Sequence, residues 1–137
     1  MPRPAVIQLT SPARTFSGTL YAAAHFAPGS VLALEPEHDE RGVYLVDGDL
    51  SLDGEPLEVA SMAVLTPGET VTLASAQGAT VMLLGGEKLD GERFIEWNFV
   101  ASSREKIERA KLAWTNQEMG KVPGETEWIP LPERKPR

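Results

Sequence analysis

The side chains that could do metal chemistry are few and clustered. The 137 residues hold two histidines, His25 and His38, and no cysteine. His38 sits in an acidic run, Glu35-Pro36-Glu37-His38-Asp39-Glu40-Arg41. Glu35, Glu37 and His38, joined by His25 from the neighbouring strand, could offer the oxygen and imidazole donors of a carboxylate-rich site for a divalent metal such as Fe, Ni or Mn. Neighbouring residues on a strand point to opposite faces, so Glu37 and His38 share a face only if they lie in a turn. The other reading is a solvated loop in which a glutamate pairs locally with Arg41. On that reading His38 is a loop residue and His25 a packed or surface strand residue. Other chemistry is thinner. There is no GxSxG motif and no thiol nucleophile. Gly85-Gly86 runs into Glu87 and a turn, not into a phosphate-binding helix. Trp97, Trp114 and Trp128 gather in the last third of the chain. They form either a stacking site or a clamp between a helix and a tail.

Composition narrows the partners. The net charge of −7 argues against nucleic acid, which wants a basic face. An apolar fraction of 42% suits one globular domain with its own core. No apolar run approaches the 18 residues or so of a membrane span. Met1-Pro2-Arg3-Pro4 does not open a signal peptide, so a cytoplasmic location is expected.

Short strands punctuated by glycine turns must position these residues. Ala5 to Leu9, between prolines 4 and 12, reads as an edge strand or strap. Phe16 to Ala27 reads as a strand with Leu20, Ala22, Ala24 and Phe26 on one face and Tyr21, Ala23 and His25 on the other. Its alanines could leave room for a small ligand, or bulky neighbours could fill that space. Pro28-Gly29, Pro67-Gly68 and Gln77-Gly78 read as turns. Asp47-Gly48 and Asp53-Gly54 are strong hairpin signals, because Gly, and Asp more than most residues, accept a positive φ. Strands are expected over Val31–Glu35, Val43–Val46, Leu50–Leu52, Leu57–Ala60, Met62–Leu65 and Thr70–Ala74. Thr80–Leu84 is apolar on both faces and should be covered on both sides. Phe94–Val100 reads as one further strand. The period then changes: Ser102 with Glu105 fits a capping box, and Ile107, Ala110 and Trp114 share one face of a helix over about 103–118. Gly120 is its stop, and the tail to Arg137 is proline-rich and extended, pinned by Trp128, Ile129 and Leu131 and frayed from Glu133. The expected organisation is a strap over 1–15, a β-domain over 16–101, and a helix with tail over 102–137 packed on it.

Several spaced segments resemble the pirin family. Arg93-Phe94-Ile95-Glu96-Trp97-Asn98-Phe99-Val100-Ala101-Ser102-Ser103 and the helix to Ala110 look like that family's closing segment. Lys121-Val122-Pro123-Gly124-Glu125 and Trp128-Ile129-Pro130-Leu131-Pro132 look like the tail that follows it. Val43–Gly48 and Leu83–Gly91 are also similar. The likeness runs over roughly residues 16–133 and implies an all-β fold: a cupin-type double-stranded β-helix, or jelly-roll barrel, with one C-terminal α-helix.

Pirins are two-cupin proteins whose N-terminal cupin holds a metal, usually iron, on three His and one Glu. They are associated with quercetin 2,3-dioxygenase-like activity and, in eukaryotes, with transcriptional co-regulation. This chain has room for one cupin and resembles the C-terminal one, which normally lacks the metal. Anchored on Gly29 and Gly48, the first cupin motif puts its two histidine positions at Glu35 and Glu37 and its glutamate position at Arg41. The second motif puts its histidine near Thr72. An arginine cannot ligate a metal. The resemblance therefore implies no catalytic, cofactor-binding or metal-binding residue, with Glu35, Glu37, His38 and His25 as fallback ligands. The expected role is a module that binds a small molecule in the barrel or another protein. The alternative is a divergent metal-dependent dioxygenase of the quercetinase type. Basic positions on the helix and tail could also dock a partner. A lone cupin would expose Tyr44, Val46, Met82 and Leu84, which implies a homodimer.

Overall fold

The computed structural model describes residues 10–133. The strand or strap expected over Ala5–Leu9 and the last residues of the tail lie outside the described residues. The chain divides into two compact units, one ending at Lys88 and the other beginning at Leu89. Among the described residues no helix is long and apolar enough to cross a membrane.

The described residues of the first unit form eight strands: β1 (Thr19–Phe26), β2 (Val31–Leu34), β3 (Glu40–Gly48), β4 (Leu50–Leu52), β5 (Glu55–Leu57), β6 (Met62–Val64), β7 (Val71–Ala74) and β8 (Ala79–Gly86). They form two four-stranded sheets, ordered β1-β8-β3-β6 and β2-β7-β4-β5. Every pairing is antiparallel. Both sheets feed one core: Val43, Leu45, Val81 and Leu83 from the first meet Leu50, Val71 and Leu73 from the second. Strict alternation along β1 buries Leu20, Ala22, Ala24 and Phe26 in part and exposes Tyr21, Ala23 and His25. Ala22 and Ala24 pack against the core, so neighbours fill the space their short side chains leave.

Turn chemistry is realised at most of the expected places. Gly29, Gly68 and Gly78 all take positive φ. Asp53 and Gly54 have φ of 49° and 93° and close the β4–β5 hairpin. Asp47-Gly48 does something else. β3 and β4 are not hydrogen-bonded partners; the chain bulges between Leu45 and Asp47 and crosses to the other sheet at Asp49. Gly48, at φ 91°, makes this corner possible, because a Cβ there would collide with the Gly78 carbonyl oxygen. Asp49 then fastens the corner. Its carboxylate accepts the N–H groups of Ala76 and Gln77 at 2.8 and 2.7 Å. Those two bonds, with a weaker one from the Ser75 hydroxyl, hold the carboxyl below the usual aspartate range. The expected strand over Leu57–Ala60 ends at Leu57, since Ala60 turns at φ 62° to donate to the Leu45 carbonyl. β8 is buried on one face only; Met82 and Leu84 on the other are half-covered.

The second unit holds β9 (Phe94–Glu96), β10 (Phe99–Ala101) and α1 (Arg104–Thr115). The single strand expected over Phe94–Val100 is in fact this antiparallel pair, turned at Trp97-Asn98 with Trp97 at φ 55°. The helix cap lies one residue beyond the expected box. Ser103 is the N-cap and its side chain accepts the Lys106 N–H, while the Ser102 hydroxyl accepts from Lys106 Nζ. Ile107 is buried on the expected face. The helix stops at Thr115, earlier than Gly120, because Asn116 caps it and Gln117 leaves at φ 57°. Residues 118–133 carry neither helix nor strand.

Candidate functional site

The acidic run divides at the start of β3. Residues 35–39 form a loop, and Glu40 and Arg41 belong to the strand. Inward and outward positions alternate from there, so Arg41 points the same way as Val43 and Leu45 and is 3% exposed. The solvated loop with a glutamate–Arg41 ion pair is thus overturned for Arg41. Its guanidinium donates to four main-chain carbonyls instead. Nη1 reaches Leu34 at 3.1 Å and Glu35 at 3.2 Å. Nη2 reaches Thr66 at 3.0 Å and Glu69 at 2.6 Å. Only Nε–H is left without a partner.

These acceptors come from the end of β2 and from the segment joining β6 to β7. One side chain in the first sheet therefore ties the end of the second sheet and the crossing between them. Four oriented carbonyl dipoles stand where a carboxylate would otherwise neutralise the buried charge. Opposite Arg41 on β8 is Gly85. A Cβ there would lie 2.5 Å from the Glu40 carbonyl oxygen and 3.3 Å from Arg41 Cγ. The glycine leaves the room in which the arginine stem lies.

The fallback ligands do not converge. Glu35 is exposed, and its carboxylate accepts the Thr70 hydroxyl at 2.9 Å. Glu37 is exposed and His38 half-buried, both in the loop before β3. His25 is on the solvent face of β1, where its Nδ1 is 3.3 Å from Thr80 Oγ1. β1 pairs with β8 and not with β2, so His25 and the strand that leads to Glu35 belong to different sheets. Thr72, near which the second cupin motif has its histidine position, uses its N–H to bond Asp53. Among the described residues no three His, Cys, Asp or Glu side chains form a group able to hold a metal ion. Among the described residues the donor set does not fit an iron-type centre.

The second unit has a different kind of site. Trp97, Phe99 and Trp114 meet edge to face, with centroids 5.3 to 6.4 Å apart. Trp114 Nε1 donates to the Ile129 carbonyl at 2.8 Å, which ties the tail to the helix as a clamp. Lys111 binds Glu96 at 2.9 Å and Glu108 at 3.0 Å, and these carboxylates raise its pKa, Glu96 most. Between the helix end and the tail lies a groove of about 690 Å³ lined by Trp114, Met119, Val122, Trp128 and Ile129 among others. That volume is in the range of small-molecule sites. Sequence reasoning found the tryptophans but not the groove, because the tail's path is not encoded in any periodicity.

The family model for the pirin C-terminal cupin domain matches residues 21–120. A pirin-like protein of Caulobacter vibrioides is 47% identical over 120 residues, which cover 86% of this chain and 41% of that one. A crystal structure of quercetin 2,3-dioxygenase from Acinetobacter baumannii superposes with a TM-score of 0.77 at 25% identity, over 93% of this chain and 44% of that one. A second structure with the same description from that organism gives 0.75 at 18% identity, over 85% and 42%, and supports the fold alone. The chain spans less than half the length of these relatives. With two antiparallel sheets around one core, a C-terminal helix and this match over most of its length, the chain belongs to the pirin family and carries its C-terminal cupin domain.

Proposed function

We propose that this domain is a double-stranded β-helix of the cupin type that binds rather than catalyses, without a resident metal. The observation that carries this reading is the Arg41 guanidinium, buried and bonded to four carbonyls, at the position the cupin motif gives to a carboxylate ligand. A cation fixed there opposes a metal ion electrostatically and occupies its volume. The space between the sheets is filled by Val43, Leu45, Leu73 and Val81, which moves a small-molecule site away from the interior. The groove beside Trp114 and Trp128 is the better place for a planar aromatic ligand.

The test uses quercetin as the probe, since a structural neighbour bears the name of a quercetin dioxygenase. All three tryptophans belong to the second unit, so their fluorescence reports on it. Saturable quenching that Trp128→Ala weakens, with no oxygen consumed, is the expected result. Elemental analysis should find no stoichiometric transition metal. Iron, nickel or manganese at one per chain, lost in Glu35→Ala together with oxygen uptake, would establish the dioxygenase reading instead.

A further inference from the structure

An aspartate followed by a glycine carries a latent reaction. The glycine nitrogen can attack the aspartate carboxyl, because no Cβ on the glycine hinders the approach. Three such pairs occur in the chain: Asp47-Gly48, Asp53-Gly54 and Asp90-Gly91. The fold holds two of them still. Asp47 and Gly48 are paired with Thr80 and Ala79 across the β3–β8 ladder. Asp53 is gripped twice by Thr72: its N–H donates to the Thr72 carbonyl at 2.9 Å, and its carboxylate accepts the Thr72 N–H at 2.8 Å. Asp90 and Gly91 lie between β8 and β9, in neither helix nor strand, and both are exposed. The Asp90 side chain is 88% exposed. Among the described residues, a Cβ at Gly91 would meet only Arg93 Nη1, at 3.8 Å. This pair therefore has the room to close on itself.

We propose that Asp90 is a site of self-modification, isomerising to isoaspartate through a cyclic imide with Gly91, and that Arg93 restrains the step. Water alone closes the balance. Gly91 N bonds to Asp90 Cγ, and the nitrogen's proton leaves with the carboxyl hydroxyl as water. A second water then opens the imide. When it breaks the bond from Asp90 C to Gly91 N, the chain runs on through Cγ and the old main-chain carboxyl becomes the side group. Ring closure needs the acid form of the carboxyl, whose hydroxyl can leave. Arg93 opposes that form. Its Nη2 bonds the Asp90 carboxylate, while Nη1 donates to the Gly91 carbonyl at 3.0 Å and the Glu92 carbonyl at 3.3 Å. The guanidinium holds the Asp90 carboxyl below the usual aspartate range. It also ties the attacking residue and the attacked one to a single planar fork. Isomerisation adds one methylene to the main chain just where the second unit begins. The Asp90–Arg93 pair cannot keep its geometry after that, so each conversion removes its own restraint. The inference goes beyond ligand binding and does not depend on it.

The intact chain, held for weeks at neutral pH and body temperature in water enriched in heavy oxygen, tests it. Each passage through the imide leaves one heavy oxygen on the aspartate, and peptide mapping by mass spectrometry locates it. Label and isoaspartate should appear at Asp90 before Asp47 and Asp53. Arg93→Ala should speed this about two- to fivefold, the factor by which an exposed ion pair holds a carboxylate. Arg93→Lys keeps the charge without the fork and should fall between. Tryptophan fluorescence, which reports on the second unit, should show both variants folded. First labelling at Asp47 or Asp53, or none at Asp90, overturns the proposal. A rate in folded Arg93→Ala no higher than in the parent overturns it too.

Discussion

Nη2 of Arg41 donates a 2.6 Å hydrogen bond to the Glu69 carbonyl, on the segment that carries the chain from one sheet to the other. Three further carbonyls share the same guanidinium. Removing it leaves four acceptors to find new partners at once. Hydrogen bonds to a charged group contribute about 1.5 to 3 kcal/mol each, less what water restores. Arg41→Ala should therefore cost about 3 kcal/mol or more in urea unfolding. Arg41→Lys should recover only part of this, since an ammonium has three donors and no planar fork.

Gly85→Ala tests the room left for that arginine. The new methyl would press on the Glu40 carbonyl and the Arg41 stem. Overpacking of this kind costs about 1 to 3 kcal/mol. The loss should shrink when Gly85→Ala is combined with Arg41→Ala, because one of the two crowding groups is then gone. A double-mutant cycle measures the difference.

Asp49 gives a dependence on pH. Its folded carboxyl is held below the ordinary value by the Ala76 and Gln77 N–H groups. Between the folded and ordinary values the unfolded chain binds more protons, so stability rises with pH there. The contribution is whole above about pH 4 and is lost as the pH falls through the folded value. Asp49→Asn should flatten the acid limb of a stability–pH curve, leaving the order of stabilities at neutral pH to the amide's weaker bonds.

Trp114→Phe should loosen the tail. The substitution keeps an aromatic ring near Trp97 and Phe99 but deletes the bond to the Ile129 carbonyl. A single neutral hydrogen bond contributes about 1 kcal/mol. Limited proteolysis should cut faster within residues 119–133, while the first unit unfolds as in the parent protein.

Local chemistry was readable in the sequence where it acts locally. Pro28-Gly29, Asp53-Gly54 and Pro67-Gly68 turn as their residues require, and the alternation along β1 assigns its faces correctly. The family was readable as well, from the segments on either side of Ser102. The failures share a cause. Arg41 in an acidic run looks solvated, and only the tertiary fold brings the Thr66 and Glu69 carbonyls to it beside those of Leu34 and Glu35. Asp47-Gly48 has hairpin residues, but the bulge before it and the Gly78 carbonyl beside it send the chain into the other sheet. Trp97 at positive φ is held by its ring contacts with Phe99 and Trp114, which no turn propensity encodes. Of the outward set Tyr44, Val46, Met82 and Leu84, Val46 falls in the bulge between Leu45 and Asp47, and only the strand order places Met62 and Val64 beside the others.

A fastening made from a guanidinium and peptide oxygens contains nothing that can dissociate. It is installed at synthesis, as part of the chain itself. Chelators, oxidants and scarcity of trace elements have no purchase on it. That end of the fold is closed by atoms of the chain alone, as the chain folds.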